Sequence, residues 1–152
     1  MFETDRWDEK EFNWENKTFI KETIPTFLHM PFPPMIGKRI TKMLTLAERA
    51  EATFSDKKEM LILFADPSPF KSEIYMSVSK EVPSANNVRL SGTFASKVFD
   101  GSYNAIPKFI KEMDSHLSKR NKKAKAYYIH YAYCPKCAKK YGKNYMILFA
   151  EI

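Results

Sequence analysis

The chain has 152 residues, a net charge of +7 from 25 Lys and Arg against 18 Asp and Glu, and 44% hydrophobic with 14% aromatic content. That length and apolar fraction fit one ordinary folded domain, exclude a disordered chain, and need no disulfide framework or metal to assemble a core. The longest plainly apolar run, MLILFA at residues 60–65, is far short of a membrane span, and the acidic, polar opening MFETDRWDEKE is no signal peptide, so a cytoplasmic protein with reduced thiols is expected.

Residues 1–22 are polar with Trp7, Phe12, Trp14 and Phe19 interspersed, the pattern of an N-terminal arm that lays rings on the surface of a single domain at residues 23–152. TIPTFLHM (residues 23–30) is read as a short first strand, interrupted by its own prolines and by the PFPP that follows. Ile36, Ile40, Met43, Leu44, Ala47 and Ala50 recur at helical spacing and predict an amphipathic helix over residues 35–53. EMLILFAD (59–66) reads as a buried strand. In EIYMSVSKEV (73–82), Ile74, Met76 and Val78 share one strand face, which puts Tyr75 on the other.

The order then repeats. GTFASKVFD (92–100) alternates as a strand, GSYN turns the chain, and Pro107 suits the first turn of a helix capped near Ser102 or Asn104. Ile106, Phe109, Ile110, Met113 and Leu117 predict that helix over 104–119, and AKAYYIHYAY (124–133) and NYMILFAEI (144–152) follow as strands. Two strand–helix–strand–strand units, about 23–82 and 91–152, predict an α+β fold. Its expected form is one mainly antiparallel sheet with both helices on one face and a ligand cleft on the other.

CPKCAKKYGKNY (134–145) holds both cysteines. A thioredoxin-like site needs a helix after the first cysteine to lower its pKa, and only AKKYGK separates Cys137 from the next strand. A zinc site needs four ligands; Cys134 and Cys137 supply two, and His130 reaches them only if its strand bends. The reading with most weight is a hairpin turn in which Pro135 fixes φ, Gly142 permits a positive φ and the thiols pack as small apolar groups. Metal ligation by Cys134 and Cys137 is the weaker alternative.

No GxSxG, P-loop or GxGxxG sequence occurs, so no cofactor is expected. His29 and His116 sit beside apolar positions with no partner at triad spacing, whereas His130 shares a strand face with Tyr128. Of the carboxylates on or near strands (Asp66, Glu73, Glu81, Asp100 and Glu151), Glu151 is singled out because it follows the apolar run MILFA. A carboxylate among rings binds a cation or acts as a general base. Aromatics cluster on the predicted sheet, which makes Tyr75, Phe99, Tyr103, Tyr128, His130 and Tyr145 the expected ligand-binding set, with Glu151 as the catalytic candidate. The expected partner is a small apolar or cationic organic molecule. The alternative is a basic module that contacts nucleic acid or a protein through the lysines of 119–125 and 136–143.

VRLSGTFASKVFDGSYNAIPKFIKEM together with CPKCAKKYGKNYMILFAEI, and FLHMPF and SEIYMSVSKEVP upstream, resemble a family of small bacterial and archaeal proteins labelled "hydrolase" that is similar to the GyrI-like small-molecule-binding fold. The resemblance runs from about Trp7 to Ile152. It implies two strand–helix–strand–strand units around a ligand cleft, with a GPY turn matched here by Gly101, Ser102 and Tyr103. It also implies a glutamate that binds cationic drugs in some members and serves, with pocket aromatics, in hydrolysis of strained rings in others. Glu151 is the position to which that role carries over. Relatives under the "hydrolase" label carry N-terminal cysteines that this chain lacks, which argues against a four-cysteine metal site.

Overall fold

Alternating apolar residues build seven strands and helical periodicity builds two helices in the computed structural model, which describes residues 4–27, 30–31, 33–55, 60–68, 71–101, 105–131, 140 and 142–152. In chain order they are β1 (Lys10–Phe27), β2 (Met30–Pro31), α1 (Pro33–Arg49), β3 (Ile62–Ser68), β4 (Lys71–Ser77), β5 (Asn87–Asp100), α2 (Ile106–Ser118), β6 (Ala126–Tyr131) and β7 (Tyr145–Glu151). Pairs β1–β2, β1–β4, β3–β4, β5–β7 and β6–β7 are all antiparallel, so the class is α+β as expected. No helix among the described residues is long and apolar enough to cross a membrane.

The chain divides into two units, Glu15–Ser91 and a second made of Met1–Trp14 with Gly92–Ile152. In the first, the strand order is β2-β1-β4-β3. Ile20 and Ile24 of β1 and Ile74 and Met76 of β4 lie on one face, and Met43 and Ala47 of α1 bury it. The predicted trio Ile74, Met76 and Val78 therefore does pack under a helix. Glu22, also on this face, is tied to α1 through Arg39 (3.3 Å) and Lys42 (2.9 Å).

The second unit repeats the arrangement with the order β6-β7-β5. Phe109, Met113 and Leu117 of α2 cover Ala95 and Phe99 of β5 and Met146, Leu148 and Ala150 of β7, with Tyr127, Ile129 and Tyr131 of β6 at the margin. Asn144 closes one end of the ladder. Its N–H donates to Asp100 Oδ1 (2.9 Å) and its side-chain amide to the Gly101 carbonyl (2.7 Å).

Three element boundaries differ from the sequence reading. The first strand begins at Lys10 rather than residue 23, so most of the expected arm is β1. Period-two counting missed it because Asn16 takes φ +50° inside the strand. Such a bulge shifts the alternation by one: Phe12 and Trp14 are even and Phe19 is odd, yet each points away from the helix of its own unit. Helix α1 stops at Arg49 rather than 53 because Glu51 turns left-handed (φ +55°), with Ala52 N–H donating to Ala47 C=O (2.8 Å) and Glu51 N–H to Glu48 C=O (3.1 Å). This is a Schellman stop. The α2 N-cap is Ala105, with no side-chain cap, and Ser102 and Asn104 lie outside the described residues.

Candidate ligand site

In the second unit, alternation along β7 sends Met146, Leu148 and Ala150 toward α2 and leaves Tyr145, Ile147, Phe149 and Glu151 on the opposite face. Antiparallel register sets Phe94 of β5 across from Glu151, Ser96 and Tyr128 on either side of Phe149, and His130 of β6 across from Ile147. Phe94, Tyr128, His130, Phe149 and Glu151 therefore share one face.

The N-terminal segment supplies further rings. Trp14 lies 4.4 Å from Phe94 and 5.6 Å from Phe149, centroid to centroid; Trp7 meets Phe149 edge-on at 6.0 Å, and Phe12 stands 6.2 Å from it. Phe94 and Tyr128 are 6.1 Å apart. Such offset and tilted pairs each contribute about 0.5–1.5 kcal/mol beyond the area they bury. The segment is pinned by polar contacts. Ser96 Oγ donates to the Trp7 carbonyl (2.5 Å), Val98 N–H to Asp8 Oδ1 (3.1 Å), and Thr93 Oγ1 to Asn13 Oδ1 (2.8 Å).

Glu151 is anchored at the end of this face. Its carbonyl accepts from Lys125 N–H (2.7 Å), and Ile152 N–H donates to the Thr93 carbonyl (2.9 Å), so the strand is paired to its last residue rather than frayed. Its side chain is half-buried, with Oε1 3.7 Å from where a Cβ on Gly92 would stand and Phe94 Cε2 3.8 Å from the same point. Gly92 has φ +138°, which L side chains rarely adopt, so glycine keeps the space beneath the carboxylate and ring open. Among the described residues, Glu151 has no cationic partner.

The first unit carries a related group on its own helix-free face, and there the charge is balanced. Tyr75 Oη donates to Glu73 Oε1 (3.0 Å), Lys21 Nζ pairs with Glu73 Oε2 (2.5 Å) and stands 5.6 Å from the Tyr75 ring centroid. Phe19 meets Tyr75 edge-on at 6.3 Å. The remaining described carboxylates of interest are structural: Glu81 pairs with Arg89 (3.0 Å), and Asp100 holds Asn144 and faces Lys143 (3.5 Å).

The expected set is thus divided. Glu151, Tyr128, His130 and Tyr145 lie on the helix-free face of the second unit, all half-buried. Tyr75 lies away from α1 as expected, but it is only 7% exposed, and its hydroxyl is engaged with Glu73. Phe99 was expected in the cleft and is instead core: as an odd-numbered residue of β5 it faces α2 and stacks on Phe109 at 4.7 Å and 19°. Tyr103, Cys134 and Cys137 lie outside the described residues, so the cysteine turn does too. Among the described residues no group of three or more His, Cys, Asp or Glu side chains is placed to hold a metal ion. Sequence reasoning missed Phe94, Phe149 and the two tryptophans as members of one cluster. Phe149 and Glu151, two residues apart at the end of the same strand, were the available signal.

Comparison with known proteins agrees with this architecture. At 7% identity, the C-terminal domain of EcmrR superposes with a TM-score of 0.70, covering 93% of each chain. A hydrolase from Listeria innocua gives 0.61 at 8% identity over 95% of this chain and 91% of that one. SAV2435 bound to tetraphenylphosphonium gives 0.57 at 12% identity over 95% and 93%. These likenesses show a shared fold. No curated protein matches the chain. The model of the bacterial hydrolase family, however, matches residues 1–152 from end to end, and the chain belongs to that family.

Proposed function

We propose that this protein is a small-molecule-binding domain that takes an organic cation on the aromatic face of its second unit, with Glu151 as the counter-charge. The observation that carries this reading is internal to the molecule. Two carboxylates lie on helix-free faces beside aromatic rings; Glu73 is neutralised by Lys21 and capped by Tyr75, whereas Glu151 has no cation among the described residues. A half-buried carboxylate without a partner costs more than one that is paired, so a cation arriving from outside gains both the charge and the ring faces. Phe94 stands beside Glu151, Trp14 packs on Phe94, and Tyr128 adds a hydroxyl-bearing ring. The rings pack on one another, so a ligand enters by displacing one of them; Trp7 and Trp14 belong to the segment that Asp8, Asn13 and the Trp7 carbonyl tie to β5. One structural relative, SAV2435, is described as bound to tetraphenylphosphonium, a ligand of the proposed class. Hydrolysis is the second reading, favoured by the family description, with Glu151 as the base.

Titration with tetraphenylphosphonium, followed by tryptophan fluorescence, tests the proposal. Saturable quenching is expected, with Glu151→Gln weakening the cation about tenfold while leaving the neutral triphenylphosphine oxide nearly unchanged. Equal affinity of wild type and variant for the cation removes Glu151 from the site. Turnover of an ester or strained-ring substrate by wild type but not Glu151→Gln, with binding retained, selects the hydrolytic reading.

A further inference from the structure

A second concave surface lies on the other side of the second unit, between Lys97 of β5 and the outer face of α2. Lys108, Lys111, Glu112, Ser115, His116 and Lys119 line it, and its volume is about 490 Å³. On the helix, positions 108, 111, 112, 115 and 119 fall on one stripe by i+3 and i+4 spacing, so their side chains converge over the same hollow. Lys97 is partly satisfied by Glu9 (3.7 Å) and Asp8 (4.0 Å) of the N-terminal segment, and Glu9 also stands 3.7 Å from His116 Nδ1. Lys108, Lys111 and Lys119 have no carboxylate partner among the described residues, and Glu112 is the one acidic group in the lining.

Lys97, Lys108, Lys111 and Lys119 outnumber the single Glu112 in the lining, so the hollow carries a net positive potential. Burial holds the His116 pKa below its ordinary value; the charges of Arg120 and Lys97, and lastly Lys119, push the same way against Glu9.

We infer that this hollow is a binding site for a small oligophosphate, such as the diphosphate group of a nucleotide or free pyrophosphate. The ammonium groups of Lys108, Lys111 and Lys119 neutralise the oxygens, and the exposed Ser115 and half-buried His116 offer hydrogen bonds. A phosphate in the hollow supplies the negative charge that the lysines lack, so the His116 pKa rises when the site fills. The lysines lie along one face of a single 13-residue helix and its C-cap, a footprint that suits a compact anion better than a nucleic-acid strand.

The test uses the full chain and pyrophosphate at fixed ionic strength. Calorimetry is expected to show saturable binding of one anion per chain, weakened at least about tenfold by Lys108→Glu with Lys111→Glu. Both side chains are exposed, so the fold is retained, which circular dichroism checks. Lys123→Glu with Lys125→Glu makes the same charge change elsewhere on the surface and is expected to cost less than about twofold, the loss that screening alone predicts. Proton NMR of the His116 ring is expected to show its titration moving to higher pH when pyrophosphate saturates. Absence of saturable binding, equal losses in both double variants, or a His116 titration that does not move overturns the proposal. Binding of a single-stranded oligonucleotide that pyrophosphate does not displace overturns it in favour of a nucleic-acid surface, and capture by anionic vesicles without pyrophosphate binding overturns it in favour of a lipid surface.

Discussion

Glu151 and Phe94 are cross-strand partners that both reach over Gly92, the carboxylate Oε1 to 3.7 Å and the ring edge to 3.8 Å of the point where a side chain would begin. Neither distance is a clash. The constraint is the backbone, because φ at Gly92 is +138°. Gly92→Ala is therefore expected to destabilise the protein by about 1–3 kcal/mol through strain rather than overlap. Urea denaturation measures this directly, and a loss below about 0.5 kcal/mol shows that the strand relaxes freely at this position.

Lys21 gives the sharpest test of the internal comparison behind the proposed function. If the ammonium over Tyr75 and against Glu73 plays the part of a bound cation, removing it leaves a carboxylate and ring like those at Glu151. Lys21→Ser is expected to bind a second equivalent of tetraphenylphosphonium, with a stability loss of about 1 kcal/mol for the partly exposed ion pair. A variant that still binds one equivalent shows that Glu73 and Tyr75 are structural alone.

Much of the fold was legible because its signals are local. The trio Ile74, Met76 and Val78 and the stripe Phe109, Met113 and Leu117 each reveal an element and its buried face without knowledge of any partner. The candidate site was less legible, for physical reasons. Asn16 breaks the period of β1, so the strand carrying Phe12 and Trp14 looks like a polar arm. The face of Phe99 depends on counting from β5's true register, and one residue decides between cleft and core. The difference between Glu73 and Glu151 exists only in three dimensions, because Lys21 is brought to Glu73 by strand pairing. Glu151 itself was visible as the carboxylate that ends an apolar strand.

Both helices stop in the same way, and one of the two stops is improvable. Asn121 (φ +58°) follows α2, with Lys122 N–H donating to the Leu117 carbonyl (2.9 Å) and Asn121 N–H to that of Ser118 (3.0 Å). Asparagine tolerates the left-handed region, but Glu51 after α1 does so at a cost of about 1–2 kcal/mol. Glu51 is exposed, so Glu51→Gly removes no packing. The substitution is expected to raise stability by about 0.5–1 kcal/mol after the added unfolded-state entropy of glycine is subtracted, read as a higher urea midpoint at unchanged slope. A lower midpoint contradicts the strain assigned to Glu51.

Tyr127 sets how the second unit responds to alkali. Its hydroxyl donates to Asp114 Oδ1 of α2 and so joins β6 to the helix. Burial, then that hydrogen bond and the carboxylate charge, raise the phenol's pKa well above its ordinary value of 10.0. The unfolded chain therefore releases this proton first. The contribution to stability is complete below pH 10.0 and is lost as pH rises from there toward the folded-state pKa, because over that window the folded state holds more protons. Tyr127→Phe is expected to cost about 1 kcal/mol at neutral pH, the worth of one solvent-accessible hydrogen bond, and to flatten the alkaline fall in stability measured from about pH 8 to about pH 11. Asp114→Ala removes the hydrogen-bond acceptor and the carboxylate charge together and leaves burial. Tyr127 is then expected to titrate closer to an ordinary phenol in ultraviolet tyrosinate spectra, held up by burial. A Tyr127 titration that Asp114→Ala leaves where it was shows that burial alone protects the phenol and that the contact with α2 contributes nothing to alkaline stability.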